Sequence, residues 1–229
     1  YFKERIGLNG AQELILGSPF NYAKQAVLCV PTQAQSPRSP KFDWYNAYLI
    51  LHTAARTKGG VLALFTSYSA MEETAELMAE KLEEVGYSLF VQGDDLRQNL
   101  VEKFIQTPQS ILLGTNSFWE GVDIPGDALK AVVITRLPFA VPDRPVTAAR
   151  LEAIDQRGGN SFRKYSIPQA ILRLKQGFGR LIRSSQDRGG VVILDNRILT
   201  ASYGKAFLES LPPAKFTRNL DDLKIILET

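Results

Sequence analysis

Arg180 and Arg183 lie nearly one helical turn apart, and Gln176 lies one turn ahead of Arg180. Guanidinium forks match phosphate oxygens in geometry and keep their charge at any physiological pH. On a helix turning about 100° per residue, with Arg173 at zero, Gln176, Arg180 and Arg183 fall at about 300°, 340° and 280°. Leu174, Phe178, Leu181 and Ile182 fall at about 100°, 140°, 80° and 180°. Read as one helix, residues 167–183 therefore present an apolar side to a core and a guanidinium-and-carboxamide side suited to a polyphosphate. Gly177 and Gly179 each cost such a helix about 1 kcal/mol against Ala, which marks a place where something must approach the backbone closely.

A second constellation is the loop 114–126, Gly-Thr-Asn-Ser-Phe-Trp-Glu-Gly-Val-Asp-Ile-Pro-Gly, which follows the apolar run 111–113. In α/β sheets, ligands sit at the carboxyl ends of strands. Thr115 and Ser117 could hold phosphate oxygens, and Asp123 could hold a ribose hydroxyl or an arginine. The competing reading is a capped turn over a buried Phe118-Trp119 pair. The chain contains no G-x-x-x-x-G-K-[ST] and no G-x-G-x-x-G after a strand. Arginines that can grip phosphate, without a loop that cradles it, make half of a site.

The elements that must position these residues follow from hydrophobic patterning. Apolar runs at 27–30, 61–65, 89–91, 111–113, 131–135 and 191–194 lack polar alternation, as in strands buried on both faces of a parallel sheet. Helical periodicity covers 44–57, 70–85, 96–106, 146–157 and 167–183 between them. The order predicts one α/β domain of six or seven strands with helices on both faces. Residues 34–40, rich in Ser and Pro, suggest a mobile loop, and 138–145, with three prolines, a rigid surface turn. Cys29 falls in a strand and reads as core. His52 lies within a helix with no second ligand nearby, and Trp119 reads as packed inward rather than stacked on a base.

Composition narrows the classes. The 229 residues are 45% hydrophobic and 22% charged, enough for a core, and the net charge is only +3. One Cys and one His exclude an internal disulfide and a Cys₄ or Cys₂His₂ zinc site. No metal ligand set is expected. No run of 18 apolar residues suggests a membrane span. Charge is concentrated locally. Residues 157–188 hold eight bases and one acid, Asp187, so this segment is +7 and the remainder −4. The chain opens Tyr1-Phe2-Lys3 without Met or a signal sequence, which suggests a processed chain or an excised fragment. The lack of disulfide potential fits a reducing compartment, so a cytoplasmic location is expected, and the fragment is expected to be monomeric.

These residues resemble a known family. Gln176-Gly177-Phe178-Gly179-Arg180-Leu181-Ile182-Arg183 is similar to motif VI (Q-x-x-G-R-x-x-R) of superfamily 2 helicases. The loop 114–126 resembles motif V in the F-W-E-G-V-D-x-P-G form of the DinG and XPD branch. Phe65-Thr66-Ser67-Tyr68 resembles motif IV, and Gly17-Ser18-Pro19-Phe20 the turn that opens the second motor domain. The resemblance spans about residues 1–212. It implies that 1–229 is a second RecA-like motor domain, acting in cis with a first RecA-like domain. It further implies ATP and Mg²⁺ shared with that domain, and 5′-to-3′ movement on single-stranded DNA. Arg180 and Arg183 would be arginine fingers and Gln176 a nucleotide sensor. Glu120, Gly121, Asp123 and Gly179 would serve the nucleotide, with Gly121 and Asp123 coupling it to DNA. Thr66, Ser67, Thr115 and Asn116 would lie nearer the DNA phosphates. The alternatives are a non-catalytic nucleic-acid or protein-binding module on the same scaffold, and an unrelated α/β small-molecule enzyme. The domain alone is expected to be inactive as an ATPase.

Overall fold

The computed structural model describes residues 3, 6–8, 10, 12, 14, 16–119, 123–141 and 144–227. Seven parallel strands form one sheet: β1 (Ala26–Cys29), β2 (Gly60–Leu64), β3 (Ser88–Val91), β4 (Ser110–Gly114), β5 (Leu129–Ile134), β6 (Gly189–Ile193) and β7 (Lys215–Thr217). Their spatial order is β3-β4-β2-β5-β6-β1-β7. The longer helices are α1 (Phe42–Thr57), α2 (Tyr68–Val85), α3 (Arg97–Gln106), α4 (Pro145–Gln156), α5 (Ile167–Phe178) and α6 (Gly204–Ser210). This is the expected α/β, RecA-like arrangement, with helices on both faces of a parallel sheet.

Alternate strand residues supply two cores, as the strand period of two requires. Leu62, Leu64, Val132, Ile134, Val191 and Ile193 pack with Phe104, Phe118, Trp119, Leu174, Phe178 and Phe207 on one side. Val61, Ala63, Val133, Val192 and Cys29 pack with Ile50, Met71, Met78 and Leu82 on the other. β2 is packed so closely that a methyl group on Gly60 would collide with the Ala128 carbonyl and the Phe104 ring.

The seventh strand lies within the expected six or seven; β7 has one buried residue of three, Thr217, and so carries no apolar run that the sequence could reveal. Two expectations need correction. Residues 34–40 are tied down rather than loose, since Ala34 is buried and Gln35 bridges to Asp195. The helix read as 167–183 stops at Phe178, with Gly179 as its C-cap. Its last turn tightens, with Arg180 N–H donating to Gly177 O and Leu181 N–H to Phe178 O. Beyond it, the Asp187 carboxylate accepts the backbone N–H groups of Arg183 at 2.7 Å and Ser184 at 2.8 Å, which a continuing helix would have sent to carbonyls. Residues 142 and 143 of the proline-rich turn lie outside the described residues.

Candidate functional site

Parallel strands bring the ends of β2, β4 and β5 to one edge, so segments distant in sequence meet there. Thr66 follows β2 and Asn116 follows β4. Both line a cavity of about 310 Å³ with Phe139, Arg144, Arg173 and Gln176. Two of the residues expected near DNA thus share a pocket with the expected nucleotide sensor. Arg173 and Gln176 reach it from α5, whose opposite side is anchored by the buried Leu174 and Phe178. The other two expected contacts have different surroundings. Ser67 caps α2, its Oγ accepting the Ala70 N–H at 3.4 Å. Thr115 is buried, and its N–H and hydroxyl both donate to Gln92 Oε1, at 2.7 and 3.0 Å.

The two arginines leave the end of α5 in a tight turn, not on a continuing helical face. Arg180 is half-buried and donates from Nη2 (2.9 Å) and Nε (3.3 Å) to the Trp119 carbonyl. Arg183 is half-buried and forms an ion pair with Asp123, whose own side chain is almost fully exposed. Burial pulls the Arg183 pKa down, and the Asp187 charge pushes it back up. Gly179 is exposed at the cap, immediately before Arg180 in the chain. Glu120 and Gly121 lie outside the described residues. Trp119 points inward, only 1% exposed, as read from the sequence.

Several contributors carried little sequence signal. Asp187 shapes the Arg183–Ser184 turn and is detectable only as the sole acid in a basic stretch. Gln25 supports the same turn, its amide donating to the carbonyls of Ser184 (2.8 Å) and Asp187 (3.1 Å). Arg144 sits in the proline-rich turn, whose prolines marked a shape but no site, and Gln92 in a segment with no distinguishing pattern. Among the described residues, no group of three or more His, Cys, Asp or Glu side chains converges to hold a metal ion, and no helix is long and apolar enough to cross a membrane.

Comparison with known proteins gives the same architecture. The chain is 43% identical over 223 residues to the ATP-dependent DNA helicase YoaA of Haemophilus influenzae, covering 96% of this chain and 34% of that protein. It is 38% identical to the 3′-5′ exonuclease DinG of Bacillus subtilis, covering 95% of this chain and 24% of that protein. With the ATP-dependent helicase DinG of Mycobacterium tuberculosis the identity is 41%, over 93% and 32%. The chain thus spans about a third or less of each relative's length. Among solved structures, an XPD helicase superposes with a TM-score of 0.59 at 23% identity, covering 84% of this chain and 35% of that one. Dbp5 of S. cerevisiae, bound to RNA and ADP BeF3, superposes with a TM-score of 0.51 at 16% identity, over 99% and 50%. At these identities the likeness is one of fold. The model of the helicase C-terminal domain matches residues 50–214, which takes in the loop after β4 and the arginine turn after α5, and the chain belongs to that family.

Proposed function

We propose that this domain is the second motor half of an ATP-dependent DNA helicase of the DinG type, moving 5′ to 3′ on single-stranded DNA. Its companion is a first RecA-like domain in cis, which binds ATP with Mg²⁺. The observation that carries this reading is the arrangement at the end of α5. Arg180 and Arg183 are half-buried and held by backbone and carboxylate partners just beyond Gln176 in the chain, and Gln176 lines a pocket with the strand-end residues Thr66 and Asn116. Arginines offered without a phosphate cradle suit a γ-phosphate carried by a neighbouring domain. Hydrolysis then waits on domain closure, and closure is the motion that a motor uses.

The roles follow from the chemistry. Arg180 and Arg183 stabilise charge that spreads over the γ-oxygens in the transition state. Gln176 and the exposed cap at Gly179 read the bound nucleotide. Asp123 holds Arg183 until phosphate replaces it, and with Glu120 and Gly121 links nucleotide to DNA. Thr66 and Asn116 contact the DNA backbone. Ser67 and Thr115 hold the ends of their strands in place beneath that contact. Amide and hydroxyl contacts to phosphate grip without reading sequence, as movement along DNA requires.

The test is Arg183→Ala in the full-length protein. DNA-stimulated ATPase should fall by about 10³ or more. Stability should change by no more than about 1 kcal/mol, because the carboxylate partner Asp123 is almost fully exposed and solvent screens the pair. Arg183→Lys should recover little, since an ammonium lacks the planar fork. Near-normal ATPase in Arg183→Ala would remove the arginine-finger assignment, whereas absence of DNA-stimulated ATPase from the unmutated full-length protein would leave the binding-module alternative as the better account.

A further inference from the structure

We infer that Trp119 is a positioning residue that ties the DNA-facing end of β2 to the guanidinium of Arg180; the inference rests on the helicase reading above. Three separate contacts converge on this side chain and its backbone. The indole Nε1–H donates to the Phe65 carbonyl at 3.0 Å, immediately before Thr66. The Trp119 carbonyl accepts Arg180 Nη2 at 2.9 Å and Nε at 3.3 Å. The ring lies against α5 at Gly177, where a methyl group would stand 3.0 Å from Cζ3 and 3.2 Å from Cε3. Residue 177 is therefore glycine where the indole presses on the helix.

One residue thus touches all three segments that the site is built from. The strand end bearing Thr66, the loop after β4 and the arginine turn after α5 are far apart in sequence and meet at Trp119. Its burial gives the geometry consequence, because a buried indole N–H needs an acceptor and Phe65 O supplies it. A shift of the β2 end moves the indole, and with it the residue whose backbone carbonyl aims Arg180. Phenylalanine at 119 would fill most of the same space, yet it could not anchor to Phe65.

The experiment measures DNA-stimulated ATPase and thermal melting of the full-length protein carrying Trp119→Phe, Gly177→Ala, Arg180→Lys, Arg180→Ala or the pair Trp119→Phe/Arg180→Lys. Trp119→Phe should lower kcat about tenfold to a hundredfold, the scale of a small misplacement of a catalytic group. Its KM for ATP should stay within about twofold, because the lost interaction belongs to the transition state. Gly177→Ala displaces the ring from the other side and should give the same split even if Trp119→Phe folds poorly. In the double variant, Trp119→Phe should add little to the loss already caused by Arg180→Lys, because it acts through that guanidinium. A folded Trp119→Phe with wild-type kcat, or a loss fully additive with Arg180→Lys, would make Trp119 a packing residue and overturn the inference. Normal turnover in Arg180→Ala would instead refute the arginine-finger reading itself.

Discussion

Asp187 gives the basic segment its shape. Its carboxylate accepts from Arg183 N–H, Ser184 N–H and the Ser184 hydroxyl, and a methyl group on Gly126 would collide with it. Burial pushes its pKa up. The Ser184 hydroxyl and the two backbone N–H groups outweigh that and, with Lys130, hold it below the usual carboxylate value. A depressed folded pKa stabilises fully above the unfolded value of about 3.9 and ceases to do so as pH falls through the folded pKa. Melting curves of wild type and Asp187→Asn across pH should therefore differ most at neutral pH and converge in acid. A constant gap at every pH would show that the carboxylate charge contributes nothing. A buried thiol offers a second check. Burial, with Asp222 adding and Arg218 opposing, pushes Cys29 up to about 12, so it should resist alkylation until the domain unfolds. The sequence exposed the arginines, because spacing and residue type together are distinctive. It left Gln25 and Gln92 invisible, because a side-chain amide that finds its partner 159 or 23 positions away leaves no local pattern.

Among the elements, long apolar runs and helical periodicity were legible because each reflects burial along a continuous stretch. α1, α2 and α3 begin and end within about two residues of their expected bounds. The misread end of α5 shows the limit of periodicity. Leu181 and Ile182 do pack in the core, but from a turn fixed by Asp187, a tertiary contact that no helical wheel contains. Its start, at Ile167, matches the expected bound, but the turn leading into it had no pattern to reveal it. A π-turn at Phe162–Ser166 runs directly into α5, and Ile167 N–H donates to Phe162 O. Pro168 supplies no N–H to a regular ladder, and the wider turn accommodates that loss. The apolar anchor of α5 is Phe178, fully buried and edge-on to Tyr22 at 5.8 Å. Phe178→Ala should cost about 3–5 kcal/mol through the cavity it leaves. Urea unfolding measures this directly, and a loss below about 1 kcal/mol would mean that the helix can collapse into the space.

For the whole molecule, the decisive asymmetry is electrostatic. Residues 157–188 carry +7 while the rest of the chain carries −4, and the cavity that holds Thr66, Asn116 and Gln176 is lined by Arg144 and Arg173. The low net charge hides this. A field that is cationic at one edge and anionic elsewhere attracts a polyanion to that edge and repels it from the rest. On the proposed function, single-stranded DNA bound there would displace counterions, so the logarithm of affinity should fall linearly with the logarithm of salt, at about −0.7 per phosphate neutralised. If about three phosphates are engaged, affinity should drop roughly twentyfold between about 50 and 200 mM salt. Arg173→Ala and Arg144→Ala should each flatten the slope by about 0.7 while weakening all sequences alike. Fluorescence anisotropy of a labelled oligonucleotide titrated with the domain at four salt concentrations measures both quantities. Tight binding that ignores salt would put aromatic stacking in charge. The exposed Trp44 and Tyr48 of α1, stacked at 5.5 Å, would then be the side chains to replace.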